Sequence, residues 1–322
     1  MRYDDDRGRF VTEDDLLRGS CLGFSVRSTV PLRFLRELPA SDLIEVEVST
    51  ARAEPIIDGE EVLAWRGQDL DVRVVQEGRG PGSRYDVRFP EQSFLVEPAL
   101  RRISVRRLEA DPRGEARLWG LPISILNASR GALPLHAASV DLGGRAAVVA
   151  GVSHAGKSTL AAALAARGHR LLAEDASCLQ RGVGRWEAWP GASFLRLRPD
   201  VVADLGAERT FAGVPSRPLG DGRVELELVE GRGDGAGVPV AAVVLPRAAD
   251  APAVEAVPGP EALRDLWAVS HRLPDAAERT RVFGALADLI REVPVLRLGR
   301  SLDADGLWGA VDAVEELALA SR

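Results

Sequence analysis

The sequence predicts an α/β fold in which a β-rich region over residues 1–130 precedes an α/β region over residues 131–322. Two observations predict this division. Before residue 130, short segments that alternate apolar and polar residues recur between clusters of Gly and Pro, which is typical of strands and turns. After residue 130, short apolar segments alternate with longer segments of helical periodicity, which is typical of a chain that alternates strands and helices.

The β-rich region contains segments with strand-like alternation, at residues 43–48, 70–75, 85–89 and 103–105. Because Gly- and Pro-containing turns separate them, we expect a small antiparallel sheet or sandwich. Near the end of the region, residues 118–128 change to helical periodicity. Pro122 suits the first turn of that helix, where its missing N–H costs no hydrogen bond.

The α/β region is predicted to place strands and helices in alternation. Strands are predicted at residues 135–140, 145–150, 170–173, 224–228, 241–245 and 294–298. Helices are predicted at residues 157–167, 261–270, 276–291 and 307–320. Gly168 follows the first of these helices, at the position where a left-handed residue commonly ends a helix.

Composition limits the classes of partner. The chain has 322 residues, of which 46% are hydrophobic and 28% charged, as in ordinary globular proteins. Its formal net charge is −7 and it has no long basic run, so nucleic acid is not expected as a partner. No run of about 18 apolar residues occurs, so we expect no membrane-spanning helix and no membrane partner. The polar N-terminal segment does not resemble a secretory signal.

The two cysteines, Cys21 and Cys178, are far apart and lack CxxC spacing. This pattern fits a reducing compartment, and we expect a cytoplasmic protein. The four histidines and two cysteines are so scattered that no zinc-binding motif can be assembled from them.

Lys157 is the one lysine of the chain, since the other members of the 41 Lys and Arg residues are all arginine. It lies in residues 151–158, GVSHAGKS, which match the phosphate-loop pattern GxxxxGK[ST]. An apolar strand is predicted before the loop and a helix after it, as the pattern requires. The glycines permit backbone angles closed to other residues, so the loop amides and the helix N-terminus can point at an anion.

This loop predicts a binding site for ATP with Mg²⁺. The lysine would reach the β- and γ-phosphates, and the Ser158 hydroxyl would coordinate the Mg²⁺. The residues expected to bind the nucleotide are Gly151, Ser153, His154, Ala155, Gly156, Lys157, Ser158 and Thr159.

Glu174 and Asp175 directly follow the strand predicted at residues 170–173. A carboxylate at the end of a strand beside a phosphate loop can hold Mg²⁺ or accept the proton of an attacking hydroxyl. The alternative interpretation of two adjacent acidic residues is a solvated turn. His136 lies upstream of the loop strand and would by itself indicate only a structural histidine, and we expect His271 on the surface.

Residues 133–175 read LPLHAASVDLGGRAAVVAGVSHAGKSTLAAALAARGHRLLAED. They resemble the core of the HPr kinase/phosphorylase family, in which a His-containing segment, a strand, a phosphate loop, a helix ending in RGH, a strand and an acidic pair follow in this order. The resemblance is strong over residues 131–200. The later segments WPGASFLRLRPD and VAAVVLPR are similar to the divergent branch of the family, which includes kinases found with lasso-peptide and other peptide-modifying pathways.

The resemblance implies a phosphotransferase with a mixed-sheet nucleotide domain like that of HPr kinases, which is also PEP-carboxykinase-like. It implies that His136 is the active-site histidine and that Asp175 lies near Mg²⁺. Glu174 stands where the family has Asp as its catalytic base, so its carboxylate is one methylene longer. The family's IEIRGLG signature is absent, which leaves HPr itself in doubt as the substrate.

A phosphoryl transition state needs added positive charge, which arginine supplies. Three arginines are candidates for this role: Arg196, Arg198 and Arg217. Arg196 and Arg198 would share one face of a strand because they are two residues apart. We place Arg196 in the catalytic set with Glu174, His136 and Lys157, and we place Ser158 and Asp175 in the metal site.

The function expected from these residues is transfer of the γ-phosphoryl group of ATP to a hydroxyl, most simply that of a serine in a peptide or protein. The β-rich region would position that substrate. A kinase of a small molecule such as free serine is an alternative. A nucleotide-sensing protein without transfer activity is another, since Glu174 departs from the family pattern. The sequence does not predict an oligomeric state.

Overall fold

The structure, a computed structural model, describes residues 2–4, 9–11, 16–39, 43–50, 54–66, 71–106, 112–205, 211, 213–219, 222–228, 235–250, 253–273, 275–301 and 303–320. Its helices are α1 Pro112–Leu118, α2 Leu121–Ser129, α3 Lys157–Ala166, α4 Pro199–Asp204, α5 Gly259–Val269, α6 Ala276–Glu292 and α7 Ala304–Ala320. None of the helices in these ranges is long and apolar enough to cross a membrane.

Residues before the first helix form strands. Two short strands, β1 Arg2–Asp4 and β2 Arg9–Val11, pair with each other. The next eight form one sheet in the order β3-β4-β5-β10-β9-β8-β7-β6. They are β3 Leu17–Cys21, β4 Phe24–Ser28, β5 Ile44–Ser49, β6 Glu60–Arg66, β7 Asp71–Glu77, β8 Arg84–Arg88, β9 Ser93–Glu97 and β10 Arg102–Arg106.

This sheet is mixed, so the expectation of an antiparallel sheet or sandwich is wrong. Strand β5 is parallel to both of its neighbours, β4 and β10. Parallel neighbours need a crossover of about a dozen residues or more. The connection over residues 29–43 is long enough for this, and it buries Val30 and Phe34 on its way. Alternation in the strands alone gave no sign of that crossover.

A second, nine-stranded sheet holds most of the remaining strands. Its path is β11-β15-β16-β20-β13-β12-β14, and β22 pairs with β20 and β21. These strands are β11 Leu133–Leu135, β12 Ala137–Asp141, β13 Ala146–Ala150, β14 Arg170–Ala173, β15 Ser177–Arg181, β16 Trp186–Trp189, β20 Val238–Ala248, β21 Ala253–Ala256 and β22 Val295–Arg300. A small third sheet contains β17 Phe194–Leu197, β18 Ser216–Pro218 and β19 Val224–Glu227.

Helices cover both faces of the second sheet, so the predicted α/β class is confirmed. On β13, Ala147 and Val149 face a core shared with α3 and α7, while Ala146 and Val148 face a core shared with α5 and α6. This alternation follows from the two-residue period of a strand. Because both faces are buried, the strand is apolar throughout, as strands of covered sheets are.

The strand ends set the position of the site. Strands β13, β20 and β22 are mutually parallel, and β12 is antiparallel to both β13 and β14. The carboxyl ends of β13, β14 and β22 therefore lie at one edge of the sheet. Ligands of open α/β sheets bind outside that edge.

The strand predicted over residues 135–140 is interrupted at His136, which separates β11 from β12. The main-chain N–H of His136 donates to Val269 O at 2.7 Å, outside the sheet. This turns the chain at the residue whose side chain reaches the site.

One hydrophobic core spans the predicted boundary near residue 130. It includes Phe34 and Trp119 from one side, and Ala173 and Phe194 from the other. The rings of Phe34 and Phe194 lie 5.1 Å apart between centroids. The two regions therefore share buried surface, and the division at residue 130 stays a prediction.

Candidate functional site

The phosphate-loop sequence lies between the end of β13 at Ala150 and the start of α3 at Lys157. Gly156 has a φ of +90°, in the left-handed region that glycine adopts without strain. His154 has a φ of +66° and is exposed, so its side chain projects from a strained loop. The amide of Leu160 donates to Gly156 O at 2.9 Å, which begins the helix directly behind the loop.

Lys157 bends back over this loop. Its Nζ donates to Val152 O at 3.0 Å, and its side chain is buried. Burial lowers the pKa of Lys157, while the carboxylates of Asp175 and Glu174 oppose that shift. The other residues expected to bind nucleotide are half-buried or exposed along the loop and the first turn of α3: Gly151, Ser153, His154, Ala155, Gly156, Ser158 and Thr159.

Ser158 joins the loop to the acidic pair. Its Oγ donates to Glu174 Oε1 at 2.7 Å. Glu174 is the first residue after β14, and β14 is separated from the loop strand β13 only by β12. Because β12 is antiparallel to both β13 and β14, the carboxyl ends of β13 and β14 lie at the same edge.

Glu174 is buried but incompletely paired. Its side chain is 7% exposed, and its Oε2 has no hydrogen-bond partner among the described residues. Burial raises the pKa of Glu174 to about 7, and the neighbouring charge of Asp175 adds to the rise. Arg196, the hydrogen bond from Ser158 and the charge of His136 oppose it in part. A carboxylate with this pKa and a free oxygen can take up a proton near neutral pH.

Asp175 has the opposite electrostatic environment. Desolvation by the surrounding protein raises the pKa of Asp175. The hydrogen bond and the charge of His136 lower it, and so do the charges of Arg196 and His271. These effects outweigh desolvation and hold the pKa of Asp175 below its usual range. His136 Nδ1 lies 3.1 Å from both the main-chain oxygen and Oδ1 of Asp175. Because both partners are acceptors, Nδ1 carries the proton. Asp175 has a φ of +67°, so the pair is held in a strained turn.

The pKa values of the acidic pair are thus pushed apart. Groups whose environments separate their pKa values in this way are typical of sites with distinct acid–base roles. Here Glu174 can exchange a proton near neutral pH, while Asp175 stays charged.

Arg196 lies on β17, and its positive charge lowers the pKa of both Glu174 and Asp175. Its Nε binds Glu225 Oε2 at 3.2 Å, and its Nη2 is buried with no hydrogen-bond partner among the described residues. Glu225 also accepts from Arg217 Nη2 at 3.0 Å. Glu225 therefore fixes Arg196 through one nitrogen and leaves another available.

The expectation that Arg198 shares a strand face with Arg196 is wrong. Strand β17 ends at Leu197, where its pairing with β19 stops, and Arg198 keeps an extended backbone only as the residue that precedes Pro199 and caps α4. Arg198 instead pairs with Asp200 at 2.8 Å, and both side chains are exposed.

His271 is half-buried, so its expected surface position is also wrong. Its main-chain N–H donates to Pro134 O at 2.9 Å, which draws it against β11. Burial lowers the pKa of His271 to about 4, and the charges of His136 and Arg272 add to this, while Asp175 opposes it. His271 is therefore neutral at pH 7 beside the acidic pair.

The donor atoms at this edge fit a Mg²⁺ ion that is bound together with a nucleotide. Within the described residues, no group of three or more His, Cys, Asp and Glu side chains could hold a metal by itself. Mg²⁺ bound to nucleotide phosphates needs only one or two protein ligands, because phosphates and water supply the rest. Ser158 Oγ and the Asp175 carboxylate are oxygens of the required kind, and Glu174 Oε2 is unpartnered beside them.

Comparisons with known proteins give little further information. No protein-family model matches the chain, and no curated protein matches it. Solved structures similar to the chain include the HPr(Ser) kinase/phosphatase from Coxiella burnetii, with 13% sequence identity and a TM-score of 0.30. That similarity covers 58% of this chain and 98% of the other. At this identity and TM-score, the similarity carries no conclusion about function.

Sequence reasoning missed Arg36, which lies in the first region and is 2% exposed. Its Nε donates to Gly191 O at 2.9 Å, and its Nη2 donates to Leu172 O at 2.8 Å and to Ser193 Oγ at 2.7 Å. Leu172 lies two residues before Glu174, and Ser193 lies directly before β17, which carries Arg196. One guanidinium thus binds both segments that present the charged residues of the site.

Sequence reasoning also missed Arg300 at the end of β22. A Cβ atom added to Gly156 would lie 3.1 Å from Arg300 Nη2, so the guanidinium packs directly on the loop. Neither arginine could have been found by type, because almost every cation of the chain is arginine.

Proposed function

We propose that this protein is an ATP-dependent kinase that transfers the γ-phosphoryl group of ATP, with Mg²⁺, to a hydroxyl group of a peptide or protein. A serine hydroxyl is the acceptor we favour. The resemblance of residues 133–175 to the HPr kinase family supports the reaction class, and the similarity of later segments to its peptide-modifying branch supports the acceptor class.

The observation that carries the proposal is the hydrogen bond from Ser158 to Glu174, 2.7 Å long. A phosphate loop by itself indicates only nucleotide binding. Glu174 has a pKa of about 7 and an unpartnered oxygen, and it contacts that loop. It is therefore a group that can accept a proton beside the γ-phosphate. Loop and carboxylate together make a phosphotransfer site.

The proposed roles follow from the contacts. Lys157 and the loop amides would bind the β- and γ-phosphates, and Ser158 and Asp175 would hold Mg²⁺, which supplies neutralisation of phosphate charge. Glu174 Oε2 would take the proton of the acceptor hydroxyl. The acceptor oxygen then forms a bond to the γ-phosphorus, the bond from that phosphorus to the β–γ bridging oxygen breaks, and ADP leaves with the electron pair.

Arg196 and His136 complete this arrangement. The free Nη2 of Arg196 is a donor for the phosphoryl oxygens, whose charge spreads in the transition state. His136 binds Asp175 through Nδ1 and fixes the orientation of the metal-binding carboxylate. The β-rich region is joined through Arg36 to the segments that carry Glu174 and Arg196, and we propose that it presents the substrate to the site.

A panel of acceptors tests the proposal. The protein is incubated with ATP and Mg²⁺ together with serine-containing peptides, the same peptides with alanine for serine, or free serine, and phosphate incorporation is followed by mass spectrometry. Phosphorylation of the serine peptides alone is expected. Phosphorylation of free serine alone would favour a small-molecule kinase, and ATP binding without any transfer would favour a nucleotide-sensing protein.

A further inference from the structure

Arg300 lies beside the phosphate loop at the same edge of the sheet as the acidic pair. It is the last residue of β22, and β22 runs parallel to β20, which in turn runs parallel to the loop strand β13. Its Nη2 is so close to Gly156 that a Cβ there would lie 3.1 Å away. The guanidinium therefore packs against the outside of the phosphate loop.

The charge of Arg300 is poorly compensated. The residue is 7% exposed, and its Nη1 donates to the main-chain oxygen of Ser301 at 3.0 Å. No carboxylate in the described part of the chain lies within 4.0 Å of it, and the negative charge that acts on it is that of the solvent-exposed Asp303. Burial lowers the pKa of Arg300 accordingly. A buried cation of this kind is costly unless an anion compensates it.

Arg297 on the same strand, by contrast, has its charge compensated by carboxylates. Its Nη2 lies 3.3 Å from Glu261 and 3.3 Å from Asp265, two carboxylates of α5. The described residues therefore provide carboxylates for Arg297 and none for Arg300, which lies against the phosphate loop.

The sheet order places Arg300 opposite the acidic pair. Strand β14, which ends at Glu174, lies on the β12 side of the loop strand, whereas β22 lies on its β20 side. If the phosphoryl group that is transferred lies at Glu174, the part of the phosphate chain nearer the nucleoside points toward Arg300.

We infer that Arg300 binds the α- and β-phosphates of the nucleotide, and so contributes to the affinity for ADP and ATP alike. This inference rests on the proposed nucleotide site. A guanidinium can donate two parallel hydrogen bonds to phosphate oxygens, a geometry that an ammonium group cannot reproduce. The site thus uses two cations of different kinds, Lys157 inside the loop and Arg300 on its outer wall.

Nucleotide affinity tests this inference without reference to transfer. The Kd values for ADP and ATP are measured by titration calorimetry at fixed salt for the wild type, for Arg300→Gln and for the matched control Arg297→Gln. Arg300→Gln is expected to weaken both nucleotides about 10- to 100-fold and to the same degree, as loss of charge-assisted hydrogen bonds does. Arg297→Gln is expected to change either Kd by less than about 3-fold.

Thermal unfolding separates ligand binding from a merely structural role. Without nucleotide, the Tm of Arg300→Gln is expected to equal or exceed that of the wild type, because an uncompensated buried charge is removed. With ADP, its Tm should rise less than that of the wild type. Arg300→Lys keeps the charge and should weaken ADP binding by a smaller factor, about 3- to 10-fold.

Wild-type affinity for ADP in both Arg300 variants would overturn the inference while leaving the proposed kinase intact. Weakened ATP binding with unchanged ADP binding would also overturn it, because the arginine would then act on the γ-phosphate. Failure of the wild type to bind either nucleotide would overturn the proposed function together with this inference.

Discussion

Ser158 Oγ donates a hydrogen bond of 2.7 Å to Glu174 Oε1. The rest of α3 and the whole of β14 separate the two residues in the chain, and they meet because the loop after β13 and the end of β14 lie at one edge of the sheet. The contact links Ser158, which would bind Mg²⁺, to Glu174, which would take the proton of the substrate hydroxyl. Changes on either side of it therefore have separable effects on binding and on transfer.

Replacement of Lys157 by alanine is expected to abolish ATP binding and to leave the fold intact. The ammonium is the cation inside the loop, and its hydrogen bond to Val152 O contributes only a small part of the stability. Calorimetric titration with ATP, together with circular dichroism, measures both effects. Arg198→Ala, at an exposed position, is the control, and an ATP affinity of Lys157→Ala equal to the wild type would exclude the loop as the nucleotide site.

Replacement of Arg196 by glutamine is expected to lower kcat about 10²- to 10³-fold with little change in ATP affinity. Its free Nη2 would donate to the phosphoryl oxygens only as their charge develops. Glu225 stays paired in the variant, because Arg217 Nη2 still binds it at 3.0 Å. Steady-state kinetics of phosphate transfer measure the effect.

Arg198→Gln is the control for this prediction, since Arg198 pairs with the exposed Asp200. A kcat that falls equally in both variants would show that general charge, rather than the position of Arg196, matters.

Replacement of Arg36 by methionine is expected to lower the free energy of unfolding by about 2–4 kcal/mol. The buried guanidinium donates hydrogen bonds to the main-chain oxygens of Gly191 and Leu172 and to the Ser193 hydroxyl. In the variant, these three buried acceptors would lose their donor. Urea denaturation measures the loss, with Arg198→Met as an exposed control. A loss below about 0.5 kcal/mol, the usual range of surface substitutions, would show that Arg36 does not hold the two segments together.

The half-buried His271 predicts a dependence of stability on pH. Burial lowers its pKa to about 4 in the folded protein, below the ordinary value of 6.5, and the charges of His136, Asp175 and Arg272 also act on it. Between these two values the unfolded chain takes up a proton that the folded protein does not. The stability contributed by neutral His271 is therefore present above about pH 6.5 and is lost as the pH falls toward 4.

Comparison of the wild type with His271→Gln isolates this titration from that of the acidic pair. The difference in unfolding free energy is expected to shift by about 1–3 kcal/mol in favour of the variant between about pH 7.5 and about pH 4.5. Urea denaturation at the two pH values measures it. An equal difference at both values would mean that His271 is as free to take up a proton in the folded protein as in the unfolded one.

The elements around the site were predictable from sequence because their signals are local. Strand β13 and helix α3 lie within one residue of their predicted positions, since an apolar segment, two glycines and an Ala-rich segment specify them by spacing alone. The acidic pair was found in the same way, as the residues after the next strand.

The relationships across the fold were not predictable. The contact between Glu174 and Ser158 depends on the pairing of β12 with both β13 and β14. No local sequence pattern encodes that pairing. Arg36 and Arg300 look like any other arginine in the sequence, and only long-range packing distinguishes them. The crossover before β5 likewise reads as a loop, although it makes the first sheet mixed rather than antiparallel.

Phosphate transfer by Glu174→Gln tests the proposed site most directly. The rate of transfer from ATP to a serine peptide is measured for the wild type and the variant, with ATP affinity determined in parallel. We expect the wild type to phosphorylate the serine and the variant to bind ATP normally but transfer about 10²- to 10⁴-fold more slowly, because it lacks the proton acceptor. Equal rates in the two proteins, or no transfer by the wild type to any acceptor, would contradict a phosphotransfer site built on Ser158 and Glu174.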